Sequence, residues 1–255
     1  MRFKFESARL IHRAKIFLNY CLKPAQKESI FILSEPRVGS SLLISYLNSI
    51  PNVSFAGEVI EKHSMFGIRL RYISKQAVFR HIAYSLNYCK HTICGAKIFG
   101  SQLEERNISL LELKKHFPNA RFIIIYRKNI LEQFLSRKIA YMTNHWQWSE
   151  QFKLPPFVYI QPQEFERFSK RMKAIYQKLF ETDWLKSCSV VVNYEDLAAN
   201  PQSIFDGVIF PFLGLPSSPV STEMRKQNTK RTEDMVMNYH EIEPLIQESL
   251  IPVLQ

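Results

Sequence analysis

The sequence feature that most constrains the fold is residues 30–47, IFILSEPRVGSSLLISYL. Residues 30–34 form a short apolar run of the kind found in buried strands of parallel sheets. After Ser41 the apolar residues follow the spacing of a helix, at Leu42, Leu43, Tyr46, Leu47 and Ile50. The segment therefore predicts a strand, a tight turn and a helix in direct succession.

The turn between this strand and helix has an unusual composition. It contains a rigid proline, a cation, a glycine that can adopt uncommon backbone angles and two hydroxyls, in the order Pro36, Arg37, Val38, Gly39, Ser40 and Ser41. The first N–H groups of a helix have no partner within it, and its dipole is positive there, so the helix start attracts an anion. We interpret the turn as an anion-binding loop, with a purely structural turn as the alternative.

The turn differs from a nucleoside triphosphate P-loop, which has the pattern G-x-x-x-x-G-K-[ST]. In this chain Gly39 is followed by Ser40 rather than by lysine, and no glycine stands five residues upstream. The missing lysine is the group that would contact the β- and γ-phosphates. A bound anion of a different kind is therefore expected.

Length and composition favour one large α/β domain. The chain has 255 residues, of which 46% are hydrophobic, enough for a sizeable core. No apolar run approaches the roughly 20 residues of a membrane-spanning helix. Charged residues near the N-terminus interrupt any signal-peptide core. We expect a cytoplasmic protein in which residues 29–255 form a single domain.

Positive charge is concentrated at the start of the chain. The net charge is +11, and residues 1–28 contain seven Lys or Arg against two Glu. We expect residues 1–28 to contain a basic amphipathic helix, over residues 7–22, that packs on its own domain or contacts a membrane surface peripherally. The charge suits an acidic ligand, an anionic polymer or a membrane. No nucleic-acid partner is expected, and the sequence gives no oligomeric state.

A second strand–turn–helix unit occurs at residues 120–143. Residues 120–126 are rich in β-branched side chains, which suits a central parallel strand. Arg127, Lys128 and Asn129 follow it, and then comes a helical pattern of about 14 residues that includes Ser136. Ligands of open parallel sheets bind outside the carboxyl ends of the strands. Both sets of cations are therefore expected to face one crevice.

Two further segments are candidates for function. Residues 93–99 predict a strand with Lys97 inside it, and a lysine among apolar neighbours is costly to bury unless it meets an anion. Residues 144–163 have a loop-like sequence containing Trp146, Trp148 and three prolines. This loop is either a substrate-covering insertion or a set of surface aromatics that pack on the domain.

Several landmarks occur in an order that resembles a known family. They are residues 36–41, Gly57 with Glu58, 95–97, 122–136, 194–197 with 200–201, 212–216, and Lys226 with Gln227 followed by Asn238. In this order they resemble the sulfotransferases that use 3′-phosphoadenosine 5′-phosphosulfate (PAPS), over about residues 30–240. The chain looks most like the bacterial carbohydrate branch that includes nodulation-factor sulfotransferases. The resemblance implies a P-loop-NTPase-like three-layer α/β fold, with a central parallel sheet flanked by helices.

The resemblance also implies a nucleotide site. The loop would hold the 5′-phosphosulfate, Arg127 and Ser136 the 3′-phosphate, and Tyr194 would lie near the adenine. The family commonly has its serine eight positions after the arginine, whereas Ser136 is nine after Arg127 and eight after Lys128. Lys128 is therefore an alternative ligand for the 3′-phosphate. The loop residues in question are Arg37, Val38, Gly39, Ser40 and Ser41.

For catalysis the resemblance implies Glu58 as the base and Lys97 beside the transferred group. A surface carboxylate and a salt-bridged structural lysine are the alternatives, and His63 and His145 are substitute bases. No metal is expected. The predicted activity is in-line transfer of a sulfuryl group from PAPS to a hydroxyl, on a saccharide or glycolipid acceptor. A P-loop nucleotide kinase or NTPase and a non-catalytic basic anion-binding protein are the alternative functions.

Overall fold

The structure is a computed structural model and describes residues 29–60, 74–87, 91–146, 152–228 and 230–249. The predicted N-terminal segment 1–28, His63 and Trp148 lie outside the described residues. None of the helices in the described ranges combines the length and apolar character that a bilayer-spanning helix needs. The cytoplasmic location and the peripheral membrane contact of residues 7–22 stay predictions.

In the described part of the chain five strands form a sheet, in the order β2-β3-β1-β4-β5. Their pairings β1 with β3, β1 with β4 and β2 with β3 are all parallel. Because β1 and β4 are buried after their first residue and those buried residues are mainly apolar, they suit the centre of a sheet that is covered on both faces. The sheet confirms the predicted α/β class. The strands are β1 Ser29–Ser34, β2 Val53–Glu58, β3 Ile93–Phe99, β4 Arg121–Tyr126 and β5 Ser189–Asn193.

Helices connect and flank these strands. Those predicted above from apolar spacing are α1 Ser40–Leu47 and α5 Ile130–Thr143, and a further long helix is α6 Pro162–Glu181. The first half of the described chain adds α2 Lys75–Asn87, α3 Gly100–Glu104 and α4 Leu110–His116. The second half adds α7 Asp183–Lys186, α8 Tyr194–Ala199, α9 Pro201–Ile204, a π-helical turn Phe205–Ile209, α10 Phe210–Leu213, α11 Thr232–Met235 and α12 Tyr239–Ser249.

The chain divides into two compact units. Of the described residues, the first unit contains those up to Ser34 and those from Tyr46 to Ile124, and the second contains those from Glu35 to Ser45 and from Ile125 onward. The candidate ligand-binding residues 37–41 lie in the second unit, together with Arg127, Ser136 and Tyr194. Glu58 and Lys97 lie in the first unit. The single domain expected for residues 29–255 stays a prediction.

In the first unit, a β-bulge in β2 sets the orientation of Glu58. Ala56 pairs with Ala96, and the next pair is Glu58 with Lys97, so Gly57 is the extra residue. Side chains alternate between the two faces of a strand, and an inserted residue shifts that alternation by one. The bulge therefore turns Glu58 to the face of the sheet on which Lys97 lies.

Gly95 faces an aromatic ring on the neighbouring strand. A Cβ atom added at Gly95 would lie 2.1 Å from Cε1 of Phe55, its direct partner in β2. Real Cβ atoms do not approach other atoms so closely, so a side chain here requires the ring of Phe55 to move. The packing of this face of β2 on β3 thus depends on a glycine.

In the second unit, aromatic packing fixes helix α5. The ring of Phe134 on α5 lies 5.6 Å from that of Phe165 and 5.1 Å from that of Phe168, both on α6. Edge-to-face and tilted contacts at such distances stabilise beyond the area that they bury. Ser136, two residues further along α5, is therefore presented from a firmly packed helix.

The contact of Gly95 with Phe55 predicts a specific loss of stability. Gly95→Ala is expected to lower the free energy of unfolding by about 1–3 kcal/mol, because the ring of Phe55 must give way. Gly57→Ala is the matched control, since nothing lies within 4 Å of the added methyl group. Urea denaturation of both variants checks this, and equal losses would show that the ring contact does not matter.

Candidate functional site

The loop between β1 and α1 has an uncommon backbone conformation. Arg37 has φ 71° and Gly39 has φ 92°, both in the left-handed region. Glycine adopts these angles readily, whereas a residue with a side chain loses about 1–2 kcal/mol there. The N–H of Leu43 donates to the carbonyl of Gly39 at 3.1 Å and starts helix α1. The predicted loop thus exists, and Arg37 is held in it against a backbone preference.

Contacts from three sides hold the loop in the second unit. Gln133 is fully buried, and its Nε2 donates to the carbonyl of Pro36 at 2.9 Å. Val38 is also fully buried, with neither its side chain nor its backbone exposed. At Gly39 an added Cβ would lie 2.1 Å from Cδ2 of Tyr194. Strained backbone persists only where its surroundings over-determine it, as they do here.

The guanidinium of Arg37 is surrounded by neutral acceptors. Its Nε donates to Oγ of Ser136 at 2.9 Å, and its two terminal nitrogens donate to the carbonyl of Trp146 and to Oε1 of Gln227. Within the described ranges, Arg37 makes no ion pair with a carboxylate. Its positive charge is therefore uncompensated, and an anion is the partner that would compensate it.

The pKa of Arg37 reflects the same surroundings. Burial lowers the pKa of this guanidinium, and the nearby positive charge of Arg127 lowers it further, while Tyr194 acts in the opposite direction. Both lowering effects disfavour the charged form. A bound oxyanion would offset both, because it favours the charged form of a neighbouring cation.

Arg127 has a different environment from Arg37. It is 5% exposed and contacts the carboxylate of Glu132, and its Nε lies 4.0 Å from Oε1 of Glu195. Its guanidinium carbon lies 4.4 Å from the ring centroid of Tyr194, and its Nη1 lies 3.5 Å from the carbonyl oxygen of Arg37. The charge of Arg127 is thus compensated, and its contacts support the loop.

Ser136 and Lys128 each contact another side chain of the protein. Ser136 accepts its hydrogen bond from Arg37, not from Arg127 with which the sequence grouped it. The ammonium of Lys128 lies 3.7 Å from Oδ2 of Asp196, and its side chain is 36% exposed. Of the two candidates for the 3′-phosphate, Lys128 is therefore the one that a ligand in solvent can reach.

Glu195 organises the turn between β4 and α5, and the sequence did not single it out. Its carboxylate accepts hydrogen bonds from the backbone N–H groups of Lys128 at 3.1 Å and Asn129 at 3.0 Å, and from Nδ2 of Asn193 at 2.7 Å. Asn129 in turn accepts from the N–H of Glu132 as the N-cap of α5. The position of Glu195 within residues 194–197 was the only available signal, because Lys128 and Asn129, whose turn it holds, are distant in sequence.

In the first unit, Glu58 and Lys97 form a pair. Oε1 of Glu58 lies 2.9 Å from Nζ of Lys97, and Nε2 of Gln102 donates to Oε2 at 3.3 Å. Lys97 is 5% exposed, and its ammonium lies 4.9 Å from the ring centroid of Phe99. The buried lysine thus has an anionic partner within the protein, as its structural interpretation requires. Catalytic roles for both residues stay predictions.

The role of His145 as a substitute base stays a prediction. Its Nδ1 lies 2.7 Å from the carbonyl oxygen of Thr143, and a carbonyl can only accept, so Nδ1 carries the proton. The lone pair of the neutral ring is then on Nε2. The carbonyl of His145 accepts from Nε2 of Gln227 at 3.3 Å, and Gln227 is a partner of Arg37. His145 is therefore linked to Arg37 through one side chain.

No metal site is evident in the parts of the chain that the structure describes. Among those residues, no group of three or more His, Cys, Asp or Glu side chains is arranged to hold an ion.

The pair of Glu58 with Lys97 predicts a stability effect that does not depend on any activity. Glu58→Gln is expected to lower the free energy of unfolding by about 1–3 kcal/mol, because it leaves Lys97 buried without its anion. Adding Lys97→Met should restore part of the loss. The control is Glu166→Gln, which breaks an exposed pair with Lys170 and should cost well under about 1 kcal/mol. Equal losses in the two single variants, measured in urea, would contradict the expectation.

Comparison with known families gives one match. The sequence profile of a family described as the sulfotransferase family matches residues 78–219, which is more than half of the 255 residues. No protein of curated function matches the sequence at a significant level.

Comparison with solved structures finds sulfotransferases among the matches. The sulfotransferase from Alicyclobacillus acidocaldarius is 16% identical, with a TM-score of 0.52 over 87% of this chain and 96% of that chain. Mouse sulfotransferase SULT7A1 complexed with PAP is 11% identical, with a TM-score of 0.48 over 92% and 69%. STF9 from Mycobacterium avium is 10% identical, with a TM-score of 0.49 over 94% and 80%. The first of these likenesses shows the fold.

Proposed function

Since this chain belongs to the sulfotransferase family, we propose that it transfers a sulfuryl group from PAPS to a hydroxyl of a carbohydrate or glycolipid, without a metal ion. The observation that supports the proposal most strongly is the uncompensated positive charge of Arg37. It is a cation with neutral partners on a left-handed loop that opens directly into helix α1. This arrangement combines a fixed positive charge with the anion-favouring end of a helix.

The residues of the loop fit a phosphosulfate. Arg37 supplies the guanidinium, which suits an oxyanion with several acceptor oxygens. The backbone around Gly39, with Ser40 and Ser41 at the start of α1, supplies N–H and hydroxyl donors. Tyr194 occupies the space that a side chain at Gly39 would need, so this position requires glycine. Tyr194 is the proposed neighbour of the adenine.

The 3′-phosphate has two proposed ligands. The family resemblance implies Arg127 with Ser136, whereas the geometry favours Lys128. Arg127 is compensated by Glu132 and nearly inaccessible, while Lys128 is partly exposed and pairs only loosely with Asp196. We therefore propose that Lys128 contacts the 3′-phosphate and that Arg127 positions the loop.

For the chemistry, PAPS supplies an activated sulfuryl group with a phosphate as the leaving group. We propose that Glu58 accepts the proton of the acceptor hydroxyl as that oxygen bonds to sulfur. Lys97 holds the Glu58 carboxylate by its ion pair. Arg37 stabilises the negative charge that develops on the oxygens of the transferred and leaving groups.

Nucleotide preference tests the proposed donor. Calorimetric titration in EDTA is expected to show binding of adenosine 3′,5′-bisphosphate, and Arg37→Ala should weaken it at least tenfold because the uncompensated cation is lost. Arg167→Ala, an exposed arginine on α6, is the matched control and should bind normally. Binding of ATP only with magnesium, with no response to the bisphosphate, would favour a kinase or NTPase. Binding without transfer to any acceptor would favour a non-catalytic anion-binding protein.

A comparison of two nucleotides separates Arg127 from Lys128. Lys128→Gln is expected to remove most of the preference for adenosine 3′,5′-bisphosphate over adenosine 5′-phosphate, because only the former has a 3′-phosphate. Arg127→Gln should weaken both nucleotides alike, since it loosens the loop. If Arg127→Gln alone abolishes the preference, Arg127 is the direct ligand and the geometric assignment is wrong.

The proposed base is tested by turnover. Glu58→Gln is expected to keep the nucleotide affinity and to lower kcat by about 10²–10⁴-fold, the usual range for loss of a general base. The assay is transfer of labelled sulfate from PAPS, at a temperature at which circular dichroism shows the variant folded. Near-normal kcat would show that Glu58 is not the base. His145 is then the next candidate, and His145→Gln is the variant to compare.

A further inference from the structure

Two exposed aromatic side chains lie where helix α5 ends and the chain returns to Arg37. Tyr141 is 62% exposed and Trp146 is 43% exposed, although aromatic side chains of this size are usually mostly buried. Their rings contact each other edge to face, with centroids 5.0 Å apart and planes at 79°. We call this pair the aromatic corner. Neither residue has a part in the nucleotide site proposed above.

Local backbone geometry builds the aromatic corner. Asn144 has φ 55°, in the left-handed region that asparagine tolerates, and it ends α5 as the C-cap. This turn brings the chain back so that Trp146 meets Tyr141, which lies in the last turn of the helix. His145 in the same turn is fixed by its hydrogen bond to the carbonyl of Thr143. The corner is therefore built from a capped helix end.

The aromatic corner is tied directly to the anion loop. The backbone carbonyl of Trp146 accepts a hydrogen bond from a terminal nitrogen of Arg37. The other terminal nitrogen binds Gln227, whose side-chain nitrogen donates to the carbonyl of His145. One guanidinium thus fixes residues 145–146 directly and through Gln227. The backbone of Trp146 is therefore in direct contact with the group that would hold the donor's anion.

The mixed character of the aromatic corner indicates the kind of molecule that it would bind. Aromatic faces contact the C–H face of a sugar ring, whose hydroxyls then need polar partners around the rim. The guanidinium carbon of Arg137 lies 5.6 Å from the ring centroid of Tyr141. His145 directly precedes Trp146 in the chain, and Gln227 donates a hydrogen bond to the carbonyl of His145. Both residues are half-buried. Charged and amide groups of this kind suit a saccharide better than an alkyl chain.

We propose that Tyr141 and Trp146 bind a sugar ring of the acceptor and so determine the preference for carbohydrate hydroxyls. The proposal rests on the sulfotransferase function proposed above, because it assigns the acceptor side of that reaction. Trp146 is the main contact, since its backbone is fixed to Arg37. Tyr141 supports the indole from the helix.

Three side-chain variants test this proposal. Trp146→Ala is expected to raise KM for a neutral oligosaccharide acceptor at least tenfold, with Trp146→Phe intermediate and Tyr141→Ala raising it less. The affinity for adenosine 3′,5′-bisphosphate should change less than twofold, because Arg37 binds the backbone of residue 146 and not its side chain. The matched control is Met237→Ala, which removes an exposed apolar side chain of the same unit outside residues 144–163 and should leave KM unchanged.

A binding measurement separates failure of this proposal from failure of the proposed function. Neutral oligosaccharides are first screened on a glycan array, and the best binder is titrated calorimetrically into wild type and Trp146→Ala. Loss of saccharide binding in the variant supports the aromatic corner even if no transfer is detected. Transfer with unchanged KM in Trp146→Ala overturns the corner but leaves the function intact. Weakened use of an alkyl or phenolic acceptor, with saccharides unaffected, also overturns it, because the occupant is then apolar.

Discussion

The left-handed backbone at Arg37 and Gly39 is the constraint on which the second unit depends. The ring of Tyr194 lies against Gly39, the guanidinium of Arg127 lies on that ring, and Gln133 holds the carbonyl of Pro36. These contacts come from segments that are far apart in sequence. Because they fix the loop before any ligand binds, little reorganisation is needed when an anion arrives, and preorganised donors of this kind are the most effective ones.

Charge compensation separates residues that look alike in the sequence. Arg37 and Arg127 each follow a strand, and each fits a family motif. Only Arg37 meets neutral partners, whereas Arg127 meets Glu132 and Glu195. Lys97 resembles Arg127 in this respect, because its charge is compensated by the carboxylate of Glu58. A cation that the protein already neutralises supports structure, and one that it leaves uncompensated is available to a ligand.

The strands and the loop could be predicted because their signals are local. An apolar run such as residues 120–126 and the helical spacing after Ser41 are visible within one window of sequence. The partners of Arg37 could not be predicted, since Ser136 is 99 residues away and Gln227 is 190. The pairing of Glu58 with Lys97 depends on a bulge at Gly57, which no local pattern revealed. Helices α3 and α4 have only five and seven residues, which is too short to show a helical period.

A crystal structure with adenosine 3′,5′-bisphosphate would test the role of Arg37 most directly. The 5′-phosphate is expected within hydrogen-bond distance of the Arg37 guanidinium and of the backbone N–H groups at the start of α1, with the adenine near Tyr194. A nucleotide bound elsewhere, or one whose 5′-phosphate makes no contact with this loop, would contradict the proposed donor site.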